Sequence, residues 1–422
     1  MNAGATARGG FALLTAAILA ATGCTPEAAP PRTQQAYLWQ RLWTPDTIDL
    51  QQLSRAKLDG LLVLAAEIET APDGGLRLVK PAVDWPKLVK SGLPLRAAIR
   101  LPRPGREAAW QSLGILTEAT LRDLLPAIET RTEAELQIDF DCPQKSLSRY
   151  RDLLLRLRAV LPPGWKLTIT ALPIWLEEPE WTSLAKVTDG FVLQVHSVTM
   201  DASQPERLCD PAQVLLWVTR AEAAGVPFWV ALPTYTTWVG RSPEGDLRGV
   251  VSDGIRPRWP PDTAVQVFAA DPAEMGRLRT VLMTQPSSHL RGVIWYRLPV
   301  GRQEGNWSWA AFSKVLDGRI TRSLPVIRQS EGTAVRDLCL DYQDTLPGYL
   351  PPLIEVTWPK DARCIAADGV GGYHAEKSQP QFLRFVLSED MIRSRHQEEG
   401  RWPVGWLRLE PANTALHVRI VD

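Results

Sequence analysis

The sequence lacks the features that indicate nucleic-acid binding, zinc binding, dinucleotide binding or a membrane span. Its 422 residues carry 47 Lys and Arg against 47 Asp and Glu, so no basic excess indicates a nucleic-acid partner. None of its cysteines forms a C-x2-C pair, which argues against a zinc site. No G-x-G-x-x-G turn follows a predicted strand, and no run of 18 apolar residues follows residue 24. We therefore expect no cofactor, no metal and no membrane-spanning segment beyond residue 24.

The first 24 residues predict a targeting segment. Arg8 supplies a positive charge, residues 11–21 form a short apolar run, and small residues precede Cys24. This pattern resembles a bacterial lipoprotein signal peptide, in which the cysteine is lipidated and becomes the mature N-terminus. Residues 25–34 would then be a tether. The alternative is an ordinary cleaved signal with a chance cysteine.

The residue after Cys24 predicts where the anchored protein resides. In Gram-negative bacteria an Asp at that position signals retention at the inner membrane, whereas this chain has Thr25. By resemblance to that sorting rule, we expect attachment to the outer membrane, facing the periplasm.

Export changes the interpretation of the remaining cysteines. An even set in an oxidising compartment predicts disulfides, and four cysteines allow three pairings. Proximity within the predicted domains favours Cys142 with Cys209 and Cys339 with Cys364.

Apolar strands alternate with amphipathic helices over residues 35–322. Eight strands are predicted, at 36–43, 60–66, 95–101, 136–140, 166–172, 190–195, 227–232 and 292–298. Helical patterns lie between them, including 147–160, 211–224 and 272–283. This alternation predicts an α/β fold, a (β/α)8 TIM-like barrel, with an open doubly wound sheet as the rival.

Two further regions depart from that alternation. Residues 234–262, rich in Gly, Pro and charge, predict loops with or without a hairpin, which lie either over the active face or elsewhere on the surface. Short strands separated by turns predict a small C-terminal β-sandwich over residues 325–422. Such a domain could bind carbohydrate or buttress the barrel.

The segment 134–143 contains the most informative acidic pair. Asp139 and Asp141 follow the fourth strand, and residues two apart on a strand point to the same face. Two carboxyls at the C-terminal end of a barrel strand are typical of acid–base chemistry. The alternative is a pair of solvated loop acids.

Polar and aromatic residues follow nearly every predicted barrel strand. The expected catalytic residues are Asp141 as acid–base, Asp139 as its tuning neighbour and Glu67 as a second carboxylate across the barrel. The expected substrate-binding residues are Trp39, Arg100, Trp175, Gln194, His196, Tyr235, Trp295 and Tyr296. The 17 Trp of the chain fit either sugar-stacking clefts or large barrel cores.

Three of these strand ends resemble those of chitinase-type glycoside hydrolases. The residues concerned are Asp139-Phe140-Asp141, Gln194-Val195-His196 and Trp295-Tyr296. That family carries an Asp-x-Asp-x-Glu motif whose final Glu is the catalytic acid. Pro143 occupies this position here, so the family's acid is absent.

A resemblance to an uncharacterised bacterial lipoprotein family, domain of unknown function 3142, covers more of the chain. It rests on residues 37–45, 136–142, 150–158 and 168–175. It implies a barrel-like exported protein and brings no established activity.

Two functions remain open at this point. The first is an envelope-anchored glycoside hydrolase acting on an extracytoplasmic polysaccharide. The second is a non-catalytic glycan-binding or scaffold lipoprotein. Pro143 favours the second, whereas the acidic pair and Glu67 favour the first.

Overall fold

The computed structural model describes most of the chain beyond the predicted targeting segment. Besides Met1, the described residues are 31–104, 107–197, 207–252, 258–300, 305–319, 326–330, 335–341, 350–388 and 401–421. The predicted lipidation site Cys24, the signal peptide, most of the tether and the boundary at 322–325 lie outside these ranges.

Eight parallel strands form a closed barrel, which confirms the predicted fold. They are β1 (Thr33–Leu38), β2 (Leu61–Thr70), β4 (Leu95–Arg100), β5 (Glu135–Asp139), β6 (Lys166–Ala171), β7 (Gly190–Gln194), β8 (Phe228–Pro233) and β12 (Leu290–Tyr296). A short strand β3 (Leu76–Val79) pairs antiparallel with the end of β2. All eight predicted strands are present, with bounds shifted by a few residues.

Helices follow the barrel strands on the outside. They are α1 (Leu50–Arg55), α2 (Trp85–Val89), α3 (Glu107–Ile128), α4 (Leu147–Val160), α5 (Trp181–Ala185), α6 (Pro211–Ala221), α7 (Pro272–Thr284) and α8 (Trp309–Leu316). Short 3-10 helices span Gln144–Ser146, Pro173–Trp175 and Glu222–Ala224. Asp49, Asp84, Asp210 and Asp271 cap four of the helices by accepting hydrogen bonds from first-turn N–H groups. Among the described residues, no helix combines the length and apolar composition needed to cross a membrane.

The barrel closes where β1 pairs with both β2 and β12. Gly292 of β12 lies opposite Thr33 and has a φ of +138°, a conformation that L side chains rarely adopt. A Cβ at this position would also collide with the Thr33 backbone. Glycine is therefore required for β1 to approach β12 closely enough to complete the barrel.

The barrel strands lie between two apolar layers, one outside the barrel and one inside it. The outer layer lies between strands and helices and contains large buried side chains such as Phe191, Phe228 and Phe312. A smaller inner cluster fills the barrel and includes Tyr37, Trp39, Leu62, Leu64 and Ile294. Both faces of the barrel strands are buried, as in parallel barrels generally, and the buried strand residues include polar ones such as Gln34, Gln35 and Gln137.

The elaborated region after β8 forms a small antiparallel sheet. Its strands are β9 (Thr236–Arg241), β10 (Leu247–Ser252) and β11 (Ala264–Ala269), with β9 in the centre. Residues 234–262 were predicted as loops with or without a hairpin. β9 and β10 lie in that range and pair antiparallel as a hairpin, and β11 lies just beyond it.

The C-terminal region contains two four-stranded antiparallel sheets. The first has the order β13 (Val326–Gln329), β14 (Val335–Asp341), β19 (Arg401–Glu410) and β16 (Arg363–Gly369). The second has the order β17 (Tyr373–Gln379), β18 (Phe382–Leu387), β15 (Leu353–Thr357) and β20 (His417–Val421). Residues of both sheets share one apolar core, which includes Leu340, Leu407, Ile354 and Phe385. This arrangement confirms the predicted β-sandwich.

The structure contradicts the predicted disulfides. Cys142, Cys209, Cys339 and Cys364 are all free thiols. Cys142 directly follows β5, whereas Cys209 precedes α6 and lies beside Asp271 and Glu274 at the start of α7. The indole N–H of Trp175, which follows β6, donates to the Cys142 carbonyl.

The second predicted pair fails for a similar reason. Cys339 lies opposite Pro403 on one side of β19, and Cys364 lies opposite Leu409 on the other. The two positions differ by six residues along β19, or about 20 Å, whereas a disulfide needs Cα atoms within about 7 Å.

Candidate active site in the mouth of the barrel

A cavity of about 690 Å³ opens at the C-terminal ends of the barrel strands. Nearly every strand contributes a polar or aromatic side chain to it. The lining includes Tyr37, Trp39, Arg41, Asp46, Glu67, Arg100, Asp139, Asp141, Thr170, Gln194, His196, Tyr235, Ser252, Tyr296 and Arg297. The convergence follows from topology, because parallel strands in a barrel all end at the same rim.

All but two of the predicted site residues line this cavity. The exceptions are Trp175 and Trp295, which are 0% exposed and belong to the outer core. Trp175 contacts Tyr150 and Trp181, and Trp295 contacts Trp307 and Phe312. Because neither indole has a face open to a ligand, the prediction that they stack on a sugar is wrong.

Asp139, the last residue of β5, is the carboxyl with perturbed acidity in this cavity. Burial, the like charge of Asp141 and, to a smaller extent, that of Glu67 raise its pKa to about 6, against an ordinary value of 3.8. Arg100 and a hydrogen bond from Thr170 oppose that increase. Asp139 is therefore a mixture of acid and carboxylate near pH 6. The sequence assigned the acid role to Asp141, whereas burial and like charge raise the pKa of its neighbour Asp139.

The hydrogen bonds of Thr170 determine which oxygen of Asp139 can carry the proton. Thr170 Oγ1 accepts from the backbone N–H of Phe140 at 3.2 Å and donates to Asp139 Oδ1 at 2.8 Å. Since Oδ1 accepts this hydrogen, a proton on Asp139 belongs on Oδ2. Oδ2 lies 3.8 Å from Arg100 Nε.

Glu67 lies between two arginines in the wall of the cavity. Arg41 Nε is 2.8 Å from Glu67 Oε2, and Arg100 Nη1 is 3.4 Å from Glu67 Oε1. Both guanidinium groups are about half exposed, while the Glu67 side chain is only 9% exposed. Arg100 thus contacts Glu67 and Asp139 together and joins the two carboxyls. Arg41 also pairs with Glu69.

Asp141 lies two residues beyond Asp139 at the cavity wall and is partly exposed. Its backbone carbonyl accepts a hydrogen bond of 2.9 Å from Arg103 Nε, which fixes the loop after β5. Asp141 therefore supplies a second carboxylate on the same side of the cavity as Asp139.

An aromatic cluster forms the opposite part of the wall. Tyr296 makes edge contacts with Tyr37, Trp39 and Tyr235 at centroid distances of 5.6, 5.9 and 5.7 Å. The peptide bond between Tyr296 and Arg297 is cis. Arg297 Nη1 donates to the Trp39 carbonyl at 2.8 Å and ties the ends of β12 and β1 together.

His196 belongs to the same cluster and is a neutral imidazole near neutral pH. Its ring stacks on Tyr296 at 5.3 Å, and its Nδ1 shares a hydrogen bond of 3.0 Å with the Tyr235 hydroxyl. Burial lowers its pKa to about 3, so it is neutral above that pH. Its role here is to orient Tyr235 and Tyr296.

Thr170 and Tyr37 are site residues that the sequence analysis missed. Tyr37 donates to Gln137 Oε1 at 2.6 Å below the cavity floor, and its burial raises its pKa. Tyr37 of β1 lies two residues before the predicted Trp39 and therefore shares its face, whereas no predicted residue of β6 marked Thr170. Within the described ranges, no group of three or more His, Cys, Asp or Glu is placed to hold a metal.

Comparison with known proteins gives one family match. Residues 115–301 match the family model of a domain of unknown function, DUF3142. The predicted resemblance to DUF3142 is confirmed over that segment, which includes β5 to β12 and the acidic pair. A comparison with curated proteins finds no match.

Several solved structures are similar at low identity. The spore cortex-lytic enzyme SleL of Bacillus cereus is 14% identical, with coverage of 69% of this chain and 75% of that chain and a TM-score of 0.47. Chitinase ChiA74 of Bacillus thuringiensis is 9% identical, covering 92% and 100%, with a TM-score of 0.42. A chitinase of Chromobacterium violaceum is 12% identical, covering 69% and 99%, with a TM-score of 0.45.

Proposed function

We propose that this protein is a glycoside hydrolase that binds a polysaccharide in the barrel cavity, with Asp139 as the proton donor. The observation that carries the proposal is the raised pKa of Asp139, about 6, beside a second carboxylate in an aromatic-lined cavity. Glycoside hydrolysis needs one carboxyl that is protonated near working pH and a second that stays ionised.

In this proposal each carboxyl has its own step. Asp139 Oδ2 gives its proton to the glycosidic oxygen as the bond from that oxygen to the anomeric carbon breaks. Asp141 stabilises the positive charge that develops on the sugar. Water adds its hydroxide to the anomeric carbon, and its remaining proton restores Asp139. Glu67 is neutralised by Arg41 and Arg100, and its part is to position Arg100 against Asp139.

The other lining residues suit sugar binding. Tyr296 and Trp39 present apolar ring surface, and Gln194, Tyr235 and Arg100 present hydrogen-bonding groups. Cavities with aromatic walls and a few convergent polar groups are typical small-molecule sites. A sugar ring, apolar on its faces and polar at its rim, matches this distribution.

A second candidate is glycan binding without turnover. Two observations favour it. Pro143 occupies the position at which chitinase-type glycoside hydrolases carry their catalytic acid. The Glu67 carboxylate is paired with two arginines. In this case the cavity would hold a sugar chain while Asp139 only accepted hydrogen bonds.

One experiment separates the two candidates. The purified protein and its Asp139→Asn variant are assayed on a polysaccharide panel for new reducing ends and for binding. Hydrolysis predicts turnover that falls by roughly 10²–10⁴-fold in Asp139→Asn with affinity retained. Binding by the wild-type protein without any new reducing ends refutes hydrolysis and leaves the binding function.

We also propose that the protein is anchored in the bacterial envelope through a lipid on Cys24, facing the periplasm from the outer membrane. The support is the residue pattern around Cys24 and the Thr that follows it. Cys24→Ala should move the protein from the membrane to the soluble fraction. Retention of that variant in membranes would contradict lipid anchoring.

A further inference from the structure

A tryptophan lies on the face of the C-terminal sandwich that points away from its core. Trp406 is in β19, which is flanked by β14 and β16. Asp337 of β14 and Asp368 of β16 both lie directly opposite Trp406 in the strand register. One indole is therefore placed between two carboxylates, each about 5 Å away between Cβ atoms.

The neighbours of Trp406 along β19 show that its side chain faces outward. Leu407 and Leu409 are buried in the sandwich core, and a Cβ at Gly405 would collide with Phe385 of the other sheet. Alternate residues of a strand point to opposite faces, so Trp406 points away from that core. Trp406 is partly exposed, and Asp337 and Asp368 are exposed.

Within the described part of the chain, the side chains of Trp406, Asp337 and Asp368 make few specific contacts. There, Trp406 has no aromatic or cation–π partner, and neither Asp337 nor Asp368 forms an ion pair. Asp368 Oδ1 accepts only from the adjacent Gly369 N–H, at 2.9 Å. An aromatic ring that is partly exposed between two exposed acids without ion-pair partners among the described residues is an arrangement that a ligand would complete.

We propose that this face is a second carbohydrate-binding site, centred on Trp406 and separate from the barrel cavity. The indole offers a flat apolar surface to the face of a sugar ring. Asp337 and Asp368 accept hydrogen bonds from hydroxyls at opposite edges of that ring, and exposed Arg408, two residues along the same face, donates one. Sugar hydroxyls both donate and accept, so a polysaccharide matches acceptors and a donor around one ring. The site would hold a chain on the protein whether or not the barrel cleaves it.

A cationic peptide is the rival occupant, since two carboxylates beside an aromatic ring also attract a positive charge. Arg408 reduces the negative charge of the face and disfavours that ligand. The test therefore includes a cationic probe.

The full-length protein is tested in the Asp139→Asn background, so that no probe is cleaved. Binding of chitohexaose, cellohexaose, soluble peptidoglycan fragments and polylysine is measured by calorimetry. We expect two classes of saccharide site, one of which weakens by about tenfold or more in Trp406→Ala. Asp337→Asn with Asp368→Asn should weaken the same class, whereas Ile365→Ala, a half-exposed residue on the same sheet, should not.

The outcomes separate this site from the cavity. Trp39→Ala should weaken the other class of site and leave the Trp406-dependent class unchanged. Saccharide binding that is unaffected by both Trp406→Ala and the double Asn variant overturns the proposal, as does binding of polylysine alone at this face. Failure of hydrolysis in the barrel would leave the result at Trp406 unaltered. Thermal melting of Trp406→Ala checks that the sandwich remains folded.

Discussion

Thr170 Oγ1 donates a hydrogen bond of 2.8 Å to Asp139 Oδ1. This contact stabilises the ionised form of a cavity carboxyl whose pKa is raised by burial. The hydroxyl is itself fixed by the Phe140 N–H. The acidity of Asp139 is thus a balance between burial, which raises its pKa, and two specific partners, which lower it.

Removing the threonine hydroxyl should raise the pKa of Asp139 further. Thr170→Val keeps the shape and loses the hydrogen bond to the carboxylate, so the neutral acid is favoured and the pKa should exceed about 6. Carboxyl carbon NMR titration measures this value. Thr168→Val, on the same strand but bonded to Glu135, is the matched control and should leave the Asp139 titration in place.

Arg100 and Glu67 should shift that pKa in opposite directions. Arg100→Gln removes a positive charge that favours the carboxylate, so the Asp139 pKa rises. Glu67→Gln removes a negative charge that disfavours it, so the pKa falls. If Asp139 is the acid, the alkaline limb of the pH–rate profile moves with each change. Equal shifts of the same sign in both variants would contradict the charge network described here.

Asp139 should make the protein less stable at neutral pH than at acidic pH. Its pKa is higher in the folded protein, about 6, than the ordinary 3.8, so the folded state binds more protons between these values. The contribution of Asp139 to the free energy of unfolding is fully present below about pH 4. It is lost as the pH rises through 6, and the total loss is about 3 kcal/mol. Asp139→Asn should therefore gain stability relative to wild type between pH 4.5 and pH 7.5 in urea unfolding. A difference that does not change with pH would refute the raised pKa.

Trp295 should contribute to stability and not to ligand binding. Trp295→Ala leaves a cavity in the outer core and should lower the free energy of unfolding by about 3–5 kcal/mol. Glycan affinity of the folded fraction should stay within about twofold of wild type. Trp39→Ala, in the cavity wall, is the comparison and should lower affinity. A specific loss of affinity in Trp295→Ala would restore its predicted role in sugar binding.

All four cysteines of the folded region should react as thiols. Cys142 and Cys209 are buried, which raises the pKa of each to about 12, so they should be inert until the protein unfolds. Alkylation in denaturant without reductant, followed by peptide mapping, should label Cys142, Cys209, Cys339 and Cys364. A cross-linked peptide joining any two of them would contradict the structure.

Sequence patterns predicted the barrel well because each strand is a short apolar run between turn signals. The bounds of β6 and α4 agree with the predicted ranges to within one residue. The side-chain assignments were harder to predict, since both faces of a barrel strand are buried. Trp295 and Tyr296 are adjacent at the end of β12, yet one enters the outer core and the other the cavity.

Asp139 and Asp141 show the same limit of prediction from local sequence. Their positions on one strand face were predictable from spacing, but the depth of each carboxyl was not. Asp139 ends β5 within the barrel and is flanked by Thr170 and Arg100, contacts that come from β6 and β4. Acidity depends on such non-local neighbours, which no local pattern contains.

The pairing of β1 with β12 joins residues about 260 positions apart, and Arg32 reinforces it by donating to the carbonyls of Leu282 and Gln285. A ribosome that has made the first seven barrel strands has therefore made a sheet with two open edges. The chain cannot complete its barrel until β12 emerges, so the partly synthesised protein presents exposed edge strands to chaperones or to other chains.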